Sequence, residues 1–110
     1  MLVKTLFVLV LILFSTNLHA SHARGVIKTL IVGKAGHQVY VQLAGAPQTC
    51  GSDHPLGFNY GLSLSSHGAA KEILSVLLAA QLAGREVTIQ GAGVCSFEGS
   101  MEDISYVYLH

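Results

Sequence analysis

The sequence has no block of like charges, no low-complexity stretch and no internal repeat, so its 110 residues read as a single domain behind whatever leader it carries. A basic excess is also missing. Of six Lys and Arg, Lys4 lies in the N-terminal segment, which leaves Arg24, Lys28, Lys34, Lys71 and Arg85 against six acidic residues. Five against six is a balance of about minus one, which argues against a protein held to nucleic acid or anionic lipid by long-range charge.

Cysteine is scarce, with two residues and no CxxC pair, and no histidine is placed to complete a four-ligand zinc set. The histidines His22, His37, His54, His67 and His110 include no HExxH and no pair at helical spacing. Gly91-Ala92-Gly93 lacks the third glycine and following helix of a phosphate loop and reads as a strand exit. Glu98, Glu102 and Asp103 lack the alternating oxygen spacing of a calcium loop, so a solvated acidic turn is expected there. Ser52, Asp53 and His54 are adjacent, and a triad needs side chains that converge from separated segments. A turn held by Asp53 and Pro55 is the preferred reading. No catalytic residue, metal ligand or cofactor is assigned.

What is present begins with residues 1–20, which read as a secretory signal peptide. Lys4 supplies the positive end, Leu6 to Phe14 is a run of nine apolar residues, and small residues follow at Ala20 and Ala23. Nine residues fall short of the ~20 that a membrane span needs. Cleavage after Ala20 or after Ala23 both fit, with the first preferred, and export to the periplasm or the medium is expected. The mature domain, 21–110, is near 90 residues, enough for one thin core. In an oxidising compartment Cys50 and Cys95 are expected to form a disulfide.

Along that domain, Gly25 to Val32 and His37 to Leu43 read as a hairpin turned at Gly33 to Gly36, and Val39, Val41 and Leu43 alternate with Gln38, Tyr40 and Gln42. Ala44 to Gly57 holds both prolines and reads as a loop. Phe58 to Leu64 reads as a third strand with Phe58, Tyr60, Leu62 and Leu64 on one face and Asn59, Gly61 and Ser63 on the other. Ser65 to Gly68 offers cap residues to a helix over 69–83 ended by Gly84. Glu86 to Gln90 and Ile104 to Leu109 complete five strands. The fold class expected is mainly β with one helix: an OB-fold, a five-stranded Greek-key barrel with the helix between strands 3 and 4, with a small α/β sandwich as competitor.

Two sets of residues suggest recognition. The outward sides of the strands offer Gln38, Tyr40, Gln42 and Asn59, with Ser63, and the last strand adds Tyr106 and Tyr108. Neutral polar groups beside an aromatic ring suit a sugar, whose hydroxyls need hydrogen bonds while its C–H face stacks. On the helix, Ile73, Val76, Leu77, Ala80 and Ala83 form a core stripe, while Leu74, Leu78 and Leu82 form a second stripe that a subunit interface would cover.

The run from Gly25-Val-Ile through Tyr40-Val-Gln-Leu, the cysteine loop, the helix from Lys71 to Gly84 and the strand Val87-Thr-Ile resembles the B subunits of subtilase cytotoxin and related bacterial AB5 toxins, and small secreted bacterial proteins akin to them. The resemblance implies an OB-fold subunit, a homopentameric ring, glycan binding on the cell-facing side and a separate A subunit as possible partner. Toxin members carry a sialic-acid-holding serine just before the first strand. Here Arg24 stands there, so a sialic-acid ligand is not carried over. The expected function is thus that of an exported, non-enzymatic binding subunit recognising a cell-surface glycan or a partner protein. The rival is a small secreted enzyme or inhibitor acting through the loop from Cys50 to His54.

Overall fold

A computed structural model describes residues 20–51 and 54–110; residues 1–19, where the signal peptide is expected, together with Ser52 and Asp53, lie outside the described residues. Among the described residues five strands and one helix follow in the order β1 (His22–Lys34), β2 (Gln38–Leu43), β3 (Tyr60–Ser63), α1 (Ala70–Ala83), β4 (Glu86–Gly91) and β5 (Glu102–Leu109). The strands close on themselves in the order β1-β2-β3-β5-β4, a barrel and not a sandwich. All neighbouring pairs are antiparallel except β3 with β5.

β1 starts three residues before the expected Gly25 because it serves two ladders. His22 to Val26 pair with β4, and Ile27 to Lys34 pair with β2, with irregular register between Ile27 and Thr29, where the strand passes from one ladder into the next, and again between Val32 and Lys34 beside the turn. One long bent strand therefore closes the barrel. Its interior is filled from the inward sides of every strand, by Ile27, Val39, Val41, Leu43, Tyr60, Leu62, Val87, Ile89 and Ile104.

Strict alternation fails at two places. The third strand is shorter than expected: Tyr60 and Leu62 point into the barrel, but Phe58 joins a separate cluster with Tyr40, Phe97 and Met101. Asn59 causes the break. Its Oδ1 accepts the Leu43 N–H at 2.8 Å and its Nδ2 donates to the Ala46 carbonyl at 3.2 Å, so a side-chain amide stands in for backbone ladder partners. In β5 the pairing jumps from Gln90 opposite Tyr106 to Gly91 opposite Ile104, which leaves Ser105 as the extra residue of a bulge. Ile104 and Val107 both contribute to the core as a result, and Tyr106 and Tyr108 turn outward.

α1 packs against β1, β4 and β5, with Ile73, Leu77 and Ala80 in the core. Val76 is half-buried and Ala83 exposed, so the core stripe is narrower than the sequence suggested. Gly84 ends the helix in the left-handed conformation, φ 64°, and Arg85 N donates to Ala80 O across it. The start differs from expectation: no serine caps it, and the residue before the helix, Ala69, makes no side-chain cap bond. The His67 ring acts instead, its Nδ1 accepting from Ala69 N at 3.0 Å.

The expected disulfide is present. It joins Cys50 in the β2–β3 loop to Cys95 in the β4–β5 loop, 45 positions apart in sequence. Closing a loop of that size in the unfolded chain is worth about 4 kcal/mol in the chain-entropy account.

Candidate functional site

The bridged loops decide which outer face of the barrel is open. On β2, the Tyr40 ring is buried among His54, Phe58 and Phe97, with ring centroids 6.2, 6.1 and 6.0 Å away. All three neighbours come from the loop segments flanking Cys50 and Cys95. Phe97 reaches inward only because residue 61 is glycine: a Cβ there would strike the Phe97 ring. The Tyr40 hydroxyl donates to Gln38 Oε1 at 2.7 Å and lies 3.5 Å from Glu98 Oε1. Burial raises its pKa above the ordinary tyrosine value, helped by the charge and hydrogen bonding of Glu98.

Two of the four expected ligand-binding residues are therefore internal. Tyr40 and Asn59 are buried, the first on the outer face but under loops and the second spent on backbone partners, which corrects the expectation that both lie on an open outer face. Gln38 and Gln42 are half-buried, and the Gln42 amide lies against Gly57 of the β2–β3 loop. The signal that misled is the period of two, which identifies an outer face but not what lies over it.

The carboxylates do not form one acidic turn. Glu98 Oε2 is 3.2 Å from His54 Nε2. His54 Nδ1 accepts from Leu56 N, so its proton sits on Nε2 and is donated to Glu98. Asp103 Oδ1 accepts from Ser96 N at 2.8 Å, and Glu102 is buried at the end of the barrel. Among the described residues no group of three or more His, Cys, Asp or Glu could hold a metal ion, and no helix is long and apolar enough to cross a membrane.

A recess of about 280 Å³ opens where β3 and β5 part beyond their two paired positions, lined by Ser63, Ser66, His67, Phe97, Asp103 and Ser105. Its most reactive side chain is committed. His67 Nδ1 accepts from Ala69 N, which leaves the ring proton on Nε2 to be donated to Ser105 O at 2.9 Å.

The open face is the outside of β1, β4 and β5. Register places His22, Gln90 and Tyr106 in one row and Arg24, Thr88 and Tyr108 in the next. The inward neighbours Ala23, Val87, Ile89 and Val107 anchor this sheet to the core, so the outward set is held in a fixed array. The rings of Tyr106 and Tyr108 are 5.5 Å apart, and both are exposed. The Tyr108 pKa is raised by its hydrogen bond to Tyr106, then by the charge of Tyr106 and by slight burial. Thr88 Oγ1 meets His110 Nε2 at 2.8 Å, and Arg24 Nε donates to Glu86 Oε2 at 2.6 Å at the edge of the array. Two bare aromatic rings thus sit beside amide, hydroxyl and guanidinium donors.

On α1 the second leucine stripe divides. Leu74 packs on the core, Leu78 is 39% exposed and Leu82 is 89% exposed. No protein-family model, no curated protein and no solved structure matches the chain.

Proposed function

We propose that the protein is an exported, non-enzymatic OB-fold binding subunit, similar to the B subunits of AB5 toxins, that recognises a cell-surface glycan through the outer face of β1, β4 and β5. The exposed pair Tyr106 and Tyr108, with Gln90, Thr88 and Arg24 in register beside it, carries this reading. Sugars present a C–H face that stacks on a ring and hydroxyls that need donors and acceptors within the same few ångströms. A sheet face anchored to the core through Ala23, Val87, Ile89 and Val107 supplies both without ordering a loop, which keeps the entropic cost of binding low.

The closed strand order, with β1 pairing both β2 and β4 and the helix between β3 and β4 in the chain, supports the Greek-key assignment. Leu78 and Leu82 support self-association, a pentamer on the resemblance, since two neighbouring leucines in contact with water gain from cover. A glycan array probed with purified protein tests the reading, with Tyr106→Ala/Tyr108→Ala as control. Binding that the double substitution abolishes is expected; binding that survives it, or no glycan bound at all, overturns it. Light scattering on the same sample reads the assembly, and a monomer mass at micromolar concentration would reject the ring.

A further inference from the structure

Glu102 is 3% exposed, yet among the described residues neither the Arg24–Glu86 ion pair nor the contact of the neutral His54 ring with Glu98 includes it. A buried carboxylate without a cation is costly unless donors surround it. Its donors come from two places. Gly93 N donates to Oε2 at 2.9 Å, and Ser21 supplies the rest: its backbone N to Oε2 at 3.2 Å and its hydroxyl to Oε1. Space for the carboxylate exists only because residue 91 is glycine, where any Cβ would collide with it.

Ser21 is used to the full. Its carbonyl accepts from Gly91 N at 2.8 Å and Gln90 Nε2 at 3.2 Å, and its hydroxyl accepts from the Tyr60 hydroxyl at 3.1 Å. A chain beginning at Arg24 would lose all of these bonds, two ladder pairs with β4 and the buried Ala23. A chain beginning at Ser21 would lose none, and Ala20, the residue before it, is exposed.

We propose that the leader is removed between Ala20 and Ser21 and that the α-ammonium so created becomes the missing cation of Glu102, an ion pair that exists only in the processed protein. Hydrolysis of the Ala20–Ser21 peptide bond by a leader peptidase consumes one water, leaving a carboxylate on Ala20 and an ammonium on Ser21. The Ser21 nitrogen is already at hydrogen-bond distance from Glu102 as an amide, so the charge arrives without rearrangement. The precursor has the bond but not the charge, and processing strengthens the fold at its N-terminal seam.

The inference rests on the export reading, and its test separates the two. The full chain is expressed in bacteria and the exported product is sequenced from its N-terminus: Ser21 is expected, and Arg24 overturns the proposal. The pair is then read by a double cycle on protein released at Ser21 from a removable fusion. Chains with a free Ser21 or with one glycine before it are each made with Glu102 and with Glu102→Gln. Urea unfolding should show the added glycine lowering the folding equilibrium about tenfold when Glu102 is intact and little in the Glu102→Gln background, the scale of exchanging a charge-assisted hydrogen bond for a neutral one. An equal effect in both backgrounds, or none, overturns the pair. If the Glu102→Gln chain does not fold, the free and extended Glu102 chains still decide: equal stability overturns the pair. A full chain that is never exported rejects the export reading and the cleavage half of the proposal, while the cycle still decides the pair.

Discussion

On the outside of β2, Tyr40 keeps 2% of its surface exposed, whereas on the outside of β5 Tyr106 and Tyr108 keep 46% and 48%. Both faces carry tyrosine alternating with other side chains on strands of one barrel, so local pattern does not distinguish them. What differs is the chain that follows each strand. β2 runs into the loop carrying Cys50, which is bridged to the loop carrying Cys95, and the two bring His54, Phe58 and Phe97 over Tyr40. After β5, among the described residues, the His110 ring lies beside Tyr108, and both tyrosines stay exposed. A disulfide between loops can thus convert a half-wet strand face into a second small core while the face of β5 stays open.

The bridge is the largest lever on that contrast. Replacing Cys50 and Cys95 together by alanine is expected to cost about 4 kcal/mol, read by urea unfolding. Mild nitration adds a positional readout: Tyr106 and Tyr108 should react in both forms, Tyr40 only in the form without the bridge. Equal protection of Tyr40 in the two forms would mean that packing of Phe97 against Gly61 holds the roof unaided.

Next in size is Asn59→Ala. It leaves the Leu43 N–H and the Ala46 carbonyl without partners in a buried place, for a loss of about 2 kcal/mol in unfolding free energy. A residue expected to bind ligand then behaves as a structural one. Unchanged stability would show that another group takes over both bonds.

Tyr60 sharpens the contrast from inside the barrel. Burial raises its pKa, opposed by the hydrogen bond to Ser21 and assisted by the charge of Glu102. The folded state therefore keeps its proton to higher pH than the unfolded chain, whose tyrosine titrates near 10. Stability from this group is fully present below about pH 10 and is lost as pH rises through the folded value. Tyr60→Phe should flatten part of that alkaline decline, measured as urea midpoints from pH 8 upward, with Tyr40 supplying much of the remainder. An identical decline in the variant would move its origin away from Tyr60.

Much of the barrel was legible because its inward residues obey the period of two wherever a strand is regular, as from Val39 to Leu43 and from Val87 to Ile89. The disulfide was legible because there is one pair of cysteines to join. The candidate face was half legible: Tyr106 and Tyr108 were visible as polar aromatics, but strict alternation would put them on the side of Ile104, and only the bulge at Ser105 turns them out. Asn59 failed for a related reason. A side-chain amide that replaces ladder partners looks in sequence like one that waits for a ligand. The link between Ser21 and Glu102 joins residues 81 apart through no motif, so no local signal announces it.

The smallest expected effect on stability carries the functional contrast. Tyr106 and Tyr108 touch each other and the rim of the β4–β5 ladder, while the core beneath them is closed by Val107, Val87 and Ile89. Substituting an exposed side chain away from such a core changes stability by about 0.5 kcal/mol or less. Tyr106→Ala and Tyr108→Ala, singly, should therefore leave unfolding midpoints nearly unchanged while weakening the proposed glycan binding about tenfold or more, since each ring is part of the proposed stacking surface. Tyr40→Ala should do the reverse: it opens a cavity under the bridged loops at about 3 kcal/mol and leaves affinity unchanged in whatever protein remains folded. Affinity and unfolding curves measured side by side on the three variants decide the matter, and binding lost in step with stability at Tyr40, but retained at Tyr106 and Tyr108, would place the ligand on the covered face.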